Sequence, residues 1–251
     1  MATKTVRFEI KRQAGPDAPA TWENFELEWR PGMNVISAMM EIAANPQTAE
    51  GKPTTPITYD SNCLEEICGS CAMRINGKAR MACSALVDQL EQPITLEPFS
   101  KFPVVRDLAV DRQFMFDSLK RVQAWIPIDG TYDLGEGPRM AAETQEKAYK
   151  LSTCISCGSC LEVCPQVTGK GPGDFMGAAI MSQVRLFNMH PTGAMHARAR
   201  IEAVMQPGGI QDCANAQNCV KACPKEIPLT ESLAEINRQA WKQAFLGWLI
   251  G

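Results

Sequence analysis

Cysteine is the residue whose spacing points to chemistry in this chain. Cys63, Cys68 and Cys71 form a C-x4-C-x2-C run, and Cys83 follows after eleven residues. Cys154, Cys157, Cys160 and Cys164 form C-x2-C-x2-C-x3-C, closed by Pro165. Cys213, Cys219 and Cys223 come later, the last again followed by a proline, Pro224. These groups contain all eleven cysteines. The amino terminus, MATKTVRFEI, lacks the apolar stretch of a secretory signal. That predicts a reducing compartment, where closely spaced thiols, here an odd number, ligate metal and do not pair as disulfides.

The first group has the plant-type ferredoxin spacing of a [2Fe–2S] cluster. Three thiolates must converge from one tight loop, and Gly69 and Ser70 let its backbone curl and turn N–H groups toward sulfur. Asn76-Gly77, inside AMRINGKARMAC, is a hairpin signal that folds Cys83 back toward the loop. Structural zinc on the same four cysteines is the competing reading, although the spacing suits a finger or ribbon less well. The second group is the bacterial-type signature, whose fourth cysteine serves the other cluster of a pair. The third group supplies the partner run with one member missing, because Ala216 stands where a full motif starting at Cys213 has cysteine. Under this crossing rule Cys154, Cys157, Cys160 and Cys223 complete a [4Fe–4S] cluster. Cys164, Cys213 and Cys219 are then three thiolates without a fourth, the set for a [3Fe–4S] cluster. A four-iron cluster with water or another ligand at the open corner is the alternative there. The division into four, four and three leaves no thiol over.

Other chemistries are poorly supported. The two histidines, His190 and His196, flank Pro191-Thr192-Gly193. Rieske ligation needs two histidines beside the cluster, so both are read as structural or surface groups. Twenty-five Lys and Arg against 28 Asp and Glu give a formal charge of −3, which provides no basic field for nucleic acid. No apolar stretch reaches the length of about eighteen residues that a membrane span needs. No catalytic acid, base or nucleophile is expected on the chain. Its cofactors carry the redox chemistry and the protein places and tunes them, with Ile155, Leu161, Val163 and Val220 either excluding water from the sulfurs or serving as ordinary helix core.

The elements that must position these cysteines read as an α+β chain. Val6, Phe8 and Ile10 alternate with charged residues as a half-buried strand. Phe25, Leu27 and Trp29 repeat the pattern before Pro31-Gly32, with a loop at residues 15–19 between the two. Residues 35–44 read as a helix stopped by Asn45-Pro46. Asp111 is a candidate cap for a helix to Trp125, with Phe114, Met115, Leu119, Val122 and Trp125 on one face. A loop over 127–140 follows, then helices over 143–151, 174–188, 194–205 and 230–245. The expected domains are 1–108, rich in sheet, and 109–251, all helical. The apolar end, with Trp241, Phe245, Leu246, Trp248, Leu249 and Ile250, is either a docking surface or packed on its own domain.

CLEEICGSCAMRINGKARMAC, CISCGSCLEVCP and CANAQNCVKACPKEIP, with the linking VVRDLAVD and the segment FMGAAIMSQVRLFNMHPTGA, together resemble the iron–sulfur subunit of succinate dehydrogenase and its relative fumarate reductase. The resemblance runs over nearly the whole chain. It implies a β-grasp, ferredoxin-like N-terminal domain holding [2Fe–2S] near a flavin, and a bacterial-ferredoxin-like helical domain holding [4Fe–4S] and [3Fe–4S], the latter nearest the quinone. It implies electron transfer from succinate through the FAD of a flavoprotein subunit to a membrane quinone, with quinol:fumarate reduction, or service to another flavoenzyme, as alternatives. Mitochondrial-type relatives carry tryptophans after the proline matching Pro165 and a histidine where this chain has Ala214; here Gln166, Val167 and Thr168 follow. In this the chain is similar to the bacterial class with a di-haem cytochrome b anchor, often with menaquinone, and a peripheral place on the cytoplasmic side of the membrane is implied. Glu66 stands where many relatives have glycine.

Overall fold

Val6, Phe8 and Ile10 turn one face of β1 (Thr5–Arg12) inward, and none of the three is more than 1% exposed. The computed structural model describes residues 4–126, 139–169, 171 and 173–250, without the side chains of 247–250. Most of the expected loop over 127–140 and the side chains of Trp248, Leu249 and Ile250 therefore lie outside the described residues. The chain divides into two compact units, residues 1–112 with 155–162, and 113–154 with 163–251.

In the first unit β1, β2 (Thr21–Glu28), β3 (Ala72–Ile75), β4 (Lys78–Met81) and β5 (Ile94–Glu97) form one sheet in the order β2-β1-β5-β3-β4. β1 pairs antiparallel with β2, Phe8 opposite Phe25, and parallel with β5. Trp29 falls just beyond β2, where the Lys4 ammonium lies 4.3 Å from the centre of its ring. α1 (Val35–Ala44) buries Val35, Ile36, Ala38, Met39 and Ile42. Asn34 and Ser37 cap it reciprocally, each side chain accepting the other's backbone N–H at 2.9 Å. This is the expected β-grasp arrangement. A short antiparallel pair, β6 (Val104–Arg106) and β7 (Ala109–Val110), turns at Asp107, whose φ is +45°.

The helices that follow are α2 (Gln113–Arg121), α3 (Ala142–Ser152), α4 (Ser159–Glu162), α5 (Ala178–Met189), α6 (Ala197–Val204), α7 (Asn218–Ala222) and α8 (Leu229–Ile250). α4 belongs to the first unit and the other six to the second. α5 and α8 pack along each other, joined by Asn188 donating to Gln239 at 3.0 Å and Arg185 donating to Ser232 at 3.3 Å.

Several boundaries depart from expectation. α2 opens two residues past Asp111 and stops at Arg121, because Gln123 is left-handed at φ +49°. The fully buried Arg200 takes up the carbonyls of Gln123, at 2.9 Å, and Trp125, at 2.8 Å. Met115 and Val122 are buried as expected of the apolar face, but Trp125 is 45% exposed. α5 starts four residues later than Asp174, because that carboxylate closes a loop by accepting the N–H groups of Thr168, Gly169 and Phe175. The helix expected from residue 194 begins as a short 3-10 turn, Gly193–His196, before α6. Among the described residues no helix is long and apolar enough to cross a membrane.

Candidate metal centres

Cys71 immediately precedes β3 and Cys83 lies two residues past β4, so the eleven-residue spacing is the length of a hairpin. Asn76 and Gly77, at φ +49° and +73°, close it. Ala72 pairs with Met81, and Ala82 N–H donates to the Cys71 carbonyl at 3.1 Å. Both cysteines therefore arrive at the open end of one ladder. Cys63 and Cys68 come from the loop before β3, which curls through left-handed residues Leu64, Glu66 and Gly69. That curl turns N–H groups onto sulfur. Cys63 Sγ accepts from Glu65 at 3.4 Å and from Ile67 and Cys68 at 3.3 Å; Cys83 Sγ accepts from Glu66 at 3.3 Å and Cys68 Sγ from Ser70 at 3.5 Å. The structure thus brings all four cysteines of the first group together. Glu66, at φ +54°, adopts the backbone that glycine would take there and still delivers its N–H to Cys83.

The ionisation of these thiols matches their surroundings. The Ser70 side chain, then backbone groups of Cys63 and Ser70, pull Cys68 down to about 6. Burial pushes Cys71 up to about 11, against the backbone N–H of Cys83, which pulls it down, and with the Cys83 thiol, which adds to the rise. A bound metal reverses the second effect, since a coordinating thiol is deprotonated outright. N–H donors aimed at sulfur, with the Cys68 anion favoured, fit an iron–sulfur cluster. Among the described residues no three His, Cys, Asp or Glu side chains close on one point as a single ion needs; a cluster has its irons at separate corners and holds its thiolates further apart.

The loop is anchored from outside by residues that local pattern could not reveal. Arg112 donates to the carbonyls of Gly69 at 3.0 Å and Ser70 at 2.9 Å. A Cβ on Gly69 would lie 2.5 Å from the Ile155 carbonyl oxygen, and φ there is +75°. Further back, Asp107 accepts from Arg12 at 3.1 Å and from the N–H groups of Gln13 and Thr58 at 3.0 Å, fixing the start of the chain that leads to Cys63.

In the second unit Cys164, Cys213 and Cys219 line one small recess with Pro165, Phe175, Ala216 and Leu233. Cys213 ends a 3-10 turn, Ile210–Asp212, and Cys219 sits in α7. The intervening loop bends through left-handed Asn215 and Gln217, and Asn218 donates to the Val163 carbonyl at 3.1 Å, tying α7 beside Cys164. Burial pushes the Cys219 thiol up, and Cys164 and Cys213 push it further, which places the three within electrostatic reach. Ala216 occupies the wall where the motif has its missing cysteine, and among the described residues no histidine or carboxylate lines the recess. The residues present fit three thiolates and an open fourth corner.

The remaining four cysteines are distributed over the two units. Cys157 and Cys160 lie in the first, in the 155–162 segment, and Cys154 and Cys223 in the second. Cys157 and Cys160 are buried, as is Leu161, and Cys157 Sγ donates to Ser159 Oγ at 3.4 Å. Buried Glu162 holds the segment, accepting from Ser100 at 2.8 Å and Lys101 N–H at 3.0 Å. Of the two histidines, His190 Nδ1 accepts the Gly193 N–H at 3.2 Å, a structural role.

Residues 7–117 match the family model described as a 2Fe-2S iron-sulfur cluster binding domain, and residues 150–227 that described as a 4Fe-4S dicluster domain. The succinate dehydrogenase iron-sulfur subunit of Bacillus subtilis (strain 168) is 61% identical over 242 residues, 96% of this chain and 95% of that one. The fumarate reductase iron-sulfur subunit of Wolinella succinogenes is 31% identical over 239 residues, 94% and 96% of the two chains. Among solved structures, a chain described as the Mycobacterium smegmatis Sdh1 complex in the apo form matches with a TM-score of 0.79 at 23% identity. That match covers 97% of this chain and 98% of the other, a likeness of fold.

Proposed function

Because this chain belongs to the family of succinate dehydrogenase iron–sulfur subunits, we propose that its cysteines hold three clusters that pass electrons from a flavoprotein subunit toward a membrane quinone. Cys63, Cys68, Cys71 and Cys83 are assigned to [2Fe–2S], Cys154, Cys157, Cys160 and Cys223 to [4Fe–4S], and Cys164, Cys213 and Cys219 to [3Fe–4S]. The observation that carries the reading is the first loop, where five backbone N–H groups donate to cysteine sulfur. When bound, such clusters accept and release single electrons at potentials set by cluster type, hydrogen bonds to sulfur and exposure. The chain's own residues ligate, orient and exclude water. The hairpin presents Cys71 and Cys83, the curled loop supplies donors that stabilise added negative charge, and Ala216 leaves the third site one thiolate short.

Succinate oxidation is favoured over fumarate reduction by the higher identity to the Bacillus subtilis relative, 61% against 31%. The partners proposed are an FAD-bearing flavoprotein and a di-haem cytochrome b anchor, with menaquinone as acceptor and a peripheral position on the cytoplasmic side. Gln166 and Ala214 support the anchor and quinone assignment, since both line the three-cysteine recess and neither is the tryptophan or histidine of the mitochondrial-type class.

Low-temperature EPR of the oxygen-protected complex tests the assignment. The oxidised sample should show a three-iron signal and mild reduction a two-iron signal. Cys213→Ser should abolish the first and spare the second; survival of a normal three-iron signal in that variant would refute the ligand set. A colourless, zinc-containing protein without acid-labile sulfide would select the structural zinc reading.

A further inference from the structure

We infer that Arg112 is a positioning residue for the first cysteine loop and that its cation raises the reduction potential of the centre held there. The inference rests on the reading that Cys63, Cys68, Cys71 and Cys83 hold a two-iron cluster. Arg112 lies outside every cysteine run, some forty residues beyond the loop it grips. Its Nη1 donates to the Gly69 carbonyl at 3.0 Å, and Nη2 donates to those of Ser70 at 2.9 Å and Ala72 at 3.4 Å. Those carbonyls bracket Cys71 and follow Cys68. A planar fork can draw them to one side of the loop, which leaves the opposite side, with its N–H groups, facing sulfur. A lysine ammonium is a single point charge and cannot reproduce the fork.

The charge has a separate consequence. Burial lowers the Arg112 pKa, while Asp60 and then the cysteines at 157, 71 and 68 act in the opposite direction, so the guanidinium is within electrostatic reach of two ligands of the first site. Its Nε is buried and has no hydrogen-bond partner among the described residues. Reduction adds one electron and one unit of negative charge to the site, drawn from the upstream flavin in turnover or from the mediator in a titration. No proton need follow, because the guanidinium is charged in both states. A fixed cation favours the more negative state, and does so more strongly where water is excluded.

Potentiometric EPR titration of the two-iron signal in the assembled complex tests both roles. Arg112→Gln should lower the reduced-to-oxidised ratio at a fixed potential about tenfold, which is about 59 mV for one electron. Arg112→Lys keeps the charge and should restore most of that ratio, while its two-iron line shape changes because the fork is lost. Asp60→Asn removes the opposing carboxylate and should move the ratio the other way. Equal potentials in wild type, Arg112→Gln and Asp60→Asn would overturn the electrostatic role, as would an equal fall in the Lys and Gln variants. An unaltered line shape in both Arg112 variants would overturn the positioning role. Should Arg112→Gln fail to hold the cluster, the Lys line shape and the Asp60→Asn shift decide the two roles. Wild-type complex without any two-iron signal would instead remove the ligand assignment, and the inference with it.

Discussion

Asp107 is 2% exposed, and its carboxylate accepts two backbone N–H groups as well as the Arg12 guanidinium. Arg12 is itself only 7% exposed and also meets Glu23 and Thr55. The network joins the end of β1, the chain leading to Cys63 and the β6–β7 turn, so one side chain fixes three backbone segments. Removing Asp107 leaves Arg12 its Glu23 partner but takes the acceptor from two part-buried backbone N–H groups, and an unmet donor costs about 1–3 kcal/mol. Asp107→Ala should fall in that range. Asp107→Asn should cost less, since Asn tolerates a left-handed backbone and keeps one acceptor oxygen. Thermal unfolding of the subunit, followed with the two-iron EPR signal, checks the order. A carboxylate at this position that contributed only surface charge would leave both variants within about 0.5 kcal/mol of wild type.

Glycine substitutions separate turn geometry from close approach at the scale of the loop and hairpin. Gly77 has a φ of +73° and nothing within 4 Å of an added Cβ, so Gly77→Ala should cost about 1 kcal/mol of turn strain and keep the two-iron signal. Gly69 has the same backbone handedness, but an added Cβ would meet the Ile155 carbonyl at 2.5 Å and the Cys157 Cα at 3.0 Å. Gly69→Ala should therefore displace the 155–157 segment or the cysteine loop, and lose or distort the two-iron signal; equal EPR spectra for the two variants would contradict this. Asn76-Gly77 and the alternation of Val6, Phe8 and Ile10 were legible because the turn chemistry and the two-residue period are local. The cysteine groupings were legible for the same reason. The end of α2 was not, because the carbonyls it releases are taken by Arg200, more than seventy residues away. Nor was the late start of α5, because Asp174, where the helix was expected to begin, serves a loop in the fold. Arg112 sits in an unremarkable strand-to-helix junction, and its partners are visible only in three dimensions.

For the whole molecule, the division of labour between scaffold and ligand loops predicts how it responds to losing its metal. The sheet around β1 and the packed pair α5 and α8 carry continuous apolar cores: Val6, Phe8 and Ile94 in one, Met181, Val184 and Ile236 in the other, none more than 1% exposed. By contrast, the loop at residues 60–70 and the stretch at 213–217 contain no helix or strand, and Leu64 and Ile67 are 49% and 59% exposed. Such loops gain their order from ligation, because metal-binding energy in a site of this kind is folding energy. Stripping iron and sulfide should leave the far-ultraviolet circular dichroism of the scaffold largely intact. It should also lower Tm, by about 2–4 °C for each kcal/mol of lost ligation in a chain of this size, and open the first loop to cleavage after Glu65 and Glu66. Refilling with iron and sulfide should restore both. If the stripped chain kept its Tm and resisted a glutamate-specific protease at that loop, the curl at Leu64, Glu66 and Gly69 would be held by the protein alone, and the clusters would be passengers in a preformed frame.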